Sequence, residues 1–380
     1  MARYDTPTAP AGTLTMRSIT LFFTLLLSFP AFADSYRQVI ITEHGGPEVL
    51  RLIESAPLPK PGPGQVRVRV IAASASFTDI MLRKGMYPVD AELPYAPGYD
   101  LVGVVDALGE GVTGLQAGQR VADLTVWGAY SEYTLHPAEN LVPVPNGLPS
   151  DEAVVLILSY MTAYQMLFRE ADLKPQQSVL IHGASGAVGT ALAQLGRVAG
   201  LKMYGTASTA KQDYLRELGV TPIDYKTEDF VTRIMNDTDG AGVDAVFDAI
   251  SVDNFERSYS VLAPDGVLVK YGLYLASRDE NSSLGMAWEF IRLLWQQQMW
   301  DWFPQDGRRV SFYSIADFRV AHPDWFKDDL SSLFELALEK NVRPQIWKTL
   351  PLSAAADAHR HIEAGEVRGK IVLQVAPEPD

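Results

Sequence analysis

No cysteine occurs anywhere in the sequence. That excludes a disulfide framework, thiolate catalysis and any zinc site built on cysteine. Basic residues are in deficit: 32 lysines and arginines stand against 46 aspartates and glutamates, a net charge of −14. No basic cluster is interleaved with aromatic residues. Nucleic acid is therefore not an expected partner, because phosphate binding needs a basic face. Histidine is scarce, with six copies. Only His359 and His361 are near each other, and residues two apart do not share a helix face. A zinc ion with three fixed ligands and an open position is not expected. There is no internal repeat and no low-complexity tract.

The apolar run from Ile19 to Leu27 is too short and too interrupted for a comfortable membrane span. It follows Arg17 and precedes Pro30 and Ala31-Phe32-Ala33. That is the three-part layout of a secretory signal, with cleavage expected after Ala33. Residues 1–35 are set apart as a signal-like leader, which predicts an exported or periplasmic protein. A start placed too far upstream, with a cytoplasmic product, is the alternative.

What remains is globular, with 47% hydrophobic residues, and long enough for two domains. Up to about residue 150 the chain reads as short β-branched segments, such as "RQVIITEHG", "QVRVRVIAASA" and "LVGVVDALGEGV". Turns such as "PKPGPGQ" separate them, which predicts a compact antiparallel, barrel-like unit. Helix and strand then alternate. The apolar helix "DEAVVLILSYMTAYQMLFREA" comes first, then "SVLIHGA", "AVGTALAQLGRVAG", "KMYGTAS", "AKQDYLRELG" and onward. Such alternation means a parallel, doubly wound sheet. "RRVSFYSIADF" reads as a further strand. The final strand–helix–strand, ending "RGKIVLQV", returns toward the first unit. The domains are taken as 36–159, 160–318 and 319–380.

The turn "GASGAVG" sits between a strand and a helix, where a phosphate-binding fingerprint belongs. Gly183 permits a tight exit from the strand. Gly186 lets backbone N–H groups approach a pyrophosphate. Gly189 lets the helix pack closely. Ala187 and Val188 open that helix, whose N-terminus favours negative charge. The next strand ends "GTASTAK", with no acid to bind ribose hydroxyls. Ser208 and Lys211 suit a 2′-phosphate instead, so NADPH is the predicted cofactor. Tyr225, ending the third strand, is a further contact candidate. Residues 284–303 carry four of the seven tryptophans at near-helical spacing. They read as a core or dimer-packing helix, or as a hydrophobic substrate wall or a membrane-touching surface.

The stretches "GGPEVLRL", "FTDIMLRKGMYP", "LPYAPGYDLVGVVDALGEGV", "AGQRV", "LSYMTAYQML", "GASGAVG" and "GKIVL" occur in an order that resembles the medium-chain dehydrogenases/reductases. The chain is most similar to their zinc-free quinone oxidoreductase (zeta-crystallin-like) branch, and within it to vesicle amine transport protein-like members. The resemblance spans roughly residues 36–375. It implies a GroES-like β-barrel catalytic domain plus a doubly wound Rossmann NADP-binding domain, with the active site in the cleft between them. It also implies a homodimer. Zinc-dependent relatives have cysteine where Ser76 stands and histidine where Tyr99 stands, so no metal is implied here. Many quinone oxidoreductases place asparagine at the Ser76 position, near the nicotinamide or acceptor. The family pattern puts Thr162 near the nicotinamide and has Lys370 reach the cofactor from the C-terminal segment. Tyr87 matches a catalytic tyrosine of related enoyl-thioester reductases. Tyr99 and Tyr130 are other cleft candidates.

The expected activity is hydride transfer from NADPH to a quinone or an α,β-unsaturated carbonyl. A 2-enoyl-thioester or alkenal reductase is one alternative. A weakly catalytic, membrane-associated NADPH-binding protein is the other.

Overall fold

The computed structural model describes residues 34–87, 91–272, 283–302 and 305–378. The expected signal and its cleavage site after Ala33 lie outside the described residues.

The first half builds a largely antiparallel sheet around β3 (Gln65–Ala75), after the hairpin β1 (Tyr36–Ile41) and β2 (Leu50–Ser55). β3 pairs with β4 (Asp100–Leu108) and β6 (Tyr133–Pro137). β4 pairs with β5 (Arg120–Leu124), and β5 with β7 (Val142–Pro143). β3 alternates buried and half-buried residues over its first half, then is buried on both faces from Val70 onward. A strand covered on both sides needs such a run of small and β-branched residues.

The second half builds a six-stranded parallel sheet. Its strands are β8 (Ser178–Ile181), β9 (Lys202–Ala207), β10 (Thr221–Asp224), β11 (Val243–Asp248), β12 (Leu262–Lys270) and β13 (Arg309–Phe312). Their order is β10-β9-β8-β11-β12-β13, and every pair is parallel. The order reverses between β8 and β11. In such sheets a ligand crevice opens beyond the strands' carboxyl ends at that point. Helical turns continue from residue 150 to 170, with π-type stretches at Leu156–Tyr160 and Met166–Glu170.

The chain then returns to the first sheet. β14 (Ile346–Pro351) lies parallel to β15 (Lys370–Gln374), and β15 runs antiparallel to β3 with Ile371 opposite Ala75. The last strand thus begins beside residues that lead into the candidate site.

One local expectation changes, and one helix adds a feature of its own. The strand read over "RRVSFYSIADF" stops at Phe312, and Ser314 caps a helix over Ile315–Ala321 by accepting from the Asp317 N–H. The helix Phe77–Arg83 starts with a reciprocal capping box between Ser76 and Asp79. Both are Ser-x-x-Asp signatures, in which the side chains satisfy first-turn donors that would otherwise be orphaned.

Candidate active site

The glycine turn has the shape its spacing predicts. Gly183 has φ +63°, a left-handed conformation that favours glycine. A Cβ on Gly189 would lie 2.5 Å from the Gly183 carbonyl oxygen and 2.6 Å from Ala184 Cα, so only hydrogen fits there. Gly186 is extended and a Cβ would lie 3.3 Å from the same carbonyl. The helix Ala187–Val198 carries no side-chain cap at its N-terminus, the end of a helix that favours an anion. Thr206 braces the turn from behind: its Oγ1 accepts from the Gly183 N–H at 3.3 Å and contacts His182 Nδ1 at 3.1 Å. These features fit the pyrophosphate of a dinucleotide.

Two cations flank the loop that follows β9. Lys211 donates to the carbonyls of Gly365 and Val367, both at 3.0 Å, and Arg368 donates to the Ala210 carbonyl at 3.4 Å. Burial lowers the Lys211 pKa, and the Arg368 guanidinium lowers it further. No carboxylate pairs with either among the described residues. Ser208 is half-buried beside them, while Tyr225 is exposed. Arg368 was not singled out in the sequence, because its proximity to Lys211 exists only after the C-terminal segment folds back.

Lys370 is buried at the start of β15, beside Gly369 and facing Asp79 and Asp100. Burial drives its pKa down, and the two carboxylates partly offset that. Asp100 Oδ1 accepts from the Ser74 N–H (3.0 Å) and hydroxyl (2.5 Å). Asp79 accepts from the Ser76 N–H (2.7 Å), the Ser76 hydroxyl (2.6 Å) and the Gly98 N–H (3.2 Å). Burial, reinforced by the nearby Asp100 charge, pushes the Asp79 pKa up to about 7 against the pull of Ser76 and Lys370. The Ser76 hydroxyl is therefore engaged with Asp79.

Behind this cluster runs a buried polar chain. Arg83 bonds Glu363 at 2.7 Å and approaches His359 Nδ1 at 3.3 Å. Because a guanidinium only donates, His359 Nδ1 must accept, which leaves its proton on Nε2. Nε2 lies 3.3 Å from the Tyr130 hydroxyl, which faces Asp79. Burial first, and the Arg83 charge second, lower the His359 pKa to about 3. Asp79 is readable in the Ser-x-x-Asp signature. Arg83 and His359, 276 residues apart, meet only through the C-terminal return.

Beside this cluster lies an aromatic group. The Tyr87 and Tyr99 hydroxyls lie 2.6 Å apart, with their rings edge to face. Tyr313 stands close enough to act on the Tyr99 charge, hydrogen-bonds Thr162, and donates to Gln165 Oε1 at 2.7 Å. Gln165 is fixed in turn by Asp329 at 3.0 Å. Thr162 is itself buried. No group of three His, Asp or Glu side chains suited to a metal occurs among the described residues.

The helix Ser283–Trp302 stands apart from these residues in its described contacts. Trp300 stacks on Tyr259 with ring centroids 4.8 Å apart, and Gln297 donates to the Val310 carbonyl. Trp295 and Trp302 are two-thirds exposed, and Ile291 and Leu294 over half. The helix thus packs on the β13 side of the parallel sheet. Among the described residues, no helix is long and apolar enough to cross a membrane.

A doubly wound parallel sheet with a glycine-rich first turn, an antiparallel sheet and the buried Lys370–Asp79–Asp100 cluster beside them define the class of a dehydrogenase or reductase. Residues 62–146 match the alcohol dehydrogenase GroES-like domain, and residues 218–373 match the zinc-binding dehydrogenase family. The chain is 34% identical over 358 residues to the synaptic vesicle membrane protein VAT-1 homolog of Rattus norvegicus, covering 92% of this chain and 86% of that one. It is 29% identical over 343 residues to the quinone oxidoreductase of the same species, covering 89% and 97%. Among solved structures, mycobacterial Rv1454c complexed with NADPH superposes with a TM-score of 0.76 at 28% identity, covering 90% of this chain and all of that one. The chain belongs to the medium-chain dehydrogenase/reductase family, in its quinone oxidoreductase branch, and is an oxidoreductase that binds a nicotinamide dinucleotide.

Proposed function

We propose that this protein is an NADPH-dependent, zinc-independent reductase of quinones or α,β-unsaturated carbonyls. The observation that carries the cofactor preference is the Lys211–Arg368 pair beside the open helix N-terminus, which together suit a 2′-phosphate and a pyrophosphate. The mycobacterial relative solved with NADPH supports the same preference. At the position of a zinc ligand stands Ser76, already held by Asp79, and at another stands Tyr99, held by Tyr87. Neither is a favoured zinc donor.

NADPH supplies the hydride. The protein's part is to hold the acceptor in line, exclude water and manage one proton. Thr162, Tyr313 and Gln165 make a fixed polar wall. When hydride adds to the β-carbon of an enone, the electron pair moves onto the carbonyl oxygen as an enolate. Tyr87 then gives up its hydroxyl proton, forming the new α C–H bond and leaving a phenolate that solvent reprotonates. With a quinone, the proton goes to oxygen.

A homodimer is part of the proposal. β13 is an edge strand with Phe312 half exposed, and the helix beside it presents Ile291, Leu294 and Trp295. The same surface favours a second reading, a protein of low turnover held at a membrane, because exposed tryptophan suits the lipid–water interface.

Absorbance at 340 nm, with 1,4-benzoquinone, 9,10-phenanthrenequinone, a short enone and an enoyl-CoA as acceptors, tests the reading. Oxidation of NADPH in preference to NADH by the quinones or the enone is expected. Turnover of the enoyl-CoA alone would move the protein to the thioester reductases. Tight NADPH binding with no acceptor reduced, together with cosedimentation on liposomes, would favour the membrane reading.

A further inference from the structure

The Tyr87–Tyr99 pair has a direction. Tyr99 is 1% exposed, and its hydroxyl has no hydrogen-bond partner other than Tyr87 among the described residues. A buried hydroxyl that does not donate is costly, so its proton has one place to go. Tyr99 therefore donates to Tyr87 Oη. Tyr87 is only half-buried, and its own O–H then remains available to donate to a substrate. From this geometry we infer that Tyr99, at the position where zinc-dependent relatives carry a ligand, is a positioning residue that holds Tyr87 as the proton donor and stabilises the negative charge left on Tyr87 Oη by hydrogen bonding to it.

This rests on the proton-donor role of Tyr87 proposed above. When Tyr87 loses its proton, the O–H bond breaks toward the substrate and a phenolate remains. Tyr99 is already oriented to hydrogen-bond that oxygen, and does not ionise in its place, because burial and the neighbouring Tyr87 push its own pKa far up. The Tyr99 hydrogen bond lowers the Tyr87 pKa, while burial and the Asp317 charge raise it. The other titratable groups facing the pair are Asp79 and Tyr313, both acting on Tyr99. At a position where zinc-dependent relatives carry a metal ligand, a phenol thus does with a hydrogen bond what a cation would do by charge: it stabilises developing negative charge beside the substrate.

The test uses the full chain, NADPH and a short enone. Wild type, Tyr87→Phe, Tyr99→Phe and the double variant are compared between about pH 7 and pH 12, a range that reaches past a tyrosine pKa raised above 10. Tyr99→Phe keeps the ring, so the wall stays filled. It is expected to lower kcat about tenfold, to leave the KM for NADPH unchanged, and to move the alkaline limb of the profile up by about one pH unit. Added to Tyr87→Phe, it is expected to cost nothing further. Independent losses in the double variant, or an unmoved alkaline limb, would overturn the inference while leaving Tyr87 as donor. If Tyr87→Phe turned over at the wild-type rate, the donor role itself would fall. Fluorine NMR of 3-fluorotyrosine-labelled protein then reads the pair without activity. The Tyr87 resonance should titrate at higher pH in Tyr99→Phe, and an unchanged titration would show that Tyr99 does not donate to it.

Discussion

Gly186 and Gly369 form an isolated parallel β-bridge that ties the glycine turn to the C-terminal return. The Gly369 N–H donates to the Ser185 carbonyl at 3.4 Å. Lys370 follows directly, so this contact places Lys370 opposite Asp79 and Asp100. The junction leaves little room for side chains: Gly369 has φ +76°, and a Cβ there would lie 2.3 Å from the Gln345 carbonyl oxygen.

The glycines should separate by role. Gly189→Ala adds a methyl against backbone and is expected to lower stability by about 1–3 kcal/mol, read by urea unfolding. Gly186→Ala meets only a 3.3 Å contact at an ordinary φ. It should leave the unfolding midpoint near wild type while weakening NADPH binding at least tenfold, measured by NADPH fluorescence. Equal effects of the two substitutions on folding would contradict the assignment of Gly186 to the ligand face.

The cation pair should set cofactor choice. Arg368→Ala and Lys211→Ala are each expected to reduce kcat/KM for NADPH by about 10- to 100-fold, the loss of one charge-assisted hydrogen bond of ~1.5–3 kcal/mol. Values for NADH should hardly move. A parallel fall with both cofactors would mean these residues act on the junction rather than on the 2′-phosphate.

His359 should make stability sensitive to acid. Its folded pKa, about 3, lies below the ordinary histidine value of 6.5. Between the two, the unfolded chain binds the proton and the folded one does not, so stability rises with pH across that window. The contribution is complete above about pH 6.5 and is lost progressively as pH falls toward 3. Wild type should therefore lose more unfolding free energy between pH 7 and pH 4.5 than His359→Gln. Asp79 acts in the opposite sense. Its folded pKa of about 7 is raised above the ordinary 3.8, so it lowers stability as pH rises from about 4 to 7. Asp79→Asn should flatten that limb.

The leader carries a prediction of its own. If residues 16–33 direct export, the mature protein starts at Asp34 in a periplasmic or extracellular fraction, which N-terminal sequencing reads directly. A cytosolic protein retaining these residues would count against it.

The parallel sheet was legible because its strands are apolar on both faces and alternate with helices, and the glycine turn was legible because it joins a left-handed φ at Gly183 to a backbone approach at Gly189 that leaves no room for a Cβ. Tyr87, Ser76 and Lys370 were visible only through family resemblance. What their side chains touch was not. Ser76 is fastened to Asp79 by a capping box that the sequence displays as Ser-x-x-Asp. The pairing of Lys211 with Arg368, and of Arg83 with His359, depends on the last strand crossing back to β3, a contact without local signal. The helix ending at Trp302 shows the limit of periodicity, since tryptophans at helical spacing do not say which of them meet the sheet and which meet solvent.

The most direct test of the central claim follows the hydride itself. Enone reduced with NADPH deuterated at nicotinamide C4 should carry deuterium at the β-carbon, with a primary isotope effect on the reductive half-reaction, and Tyr87→Phe should slow turnover at least tenfold without altering where the label lands. Oxidation of the labelled cofactor with no deuterium in the product, or no oxidation by any quinone or enone, would contradict the account.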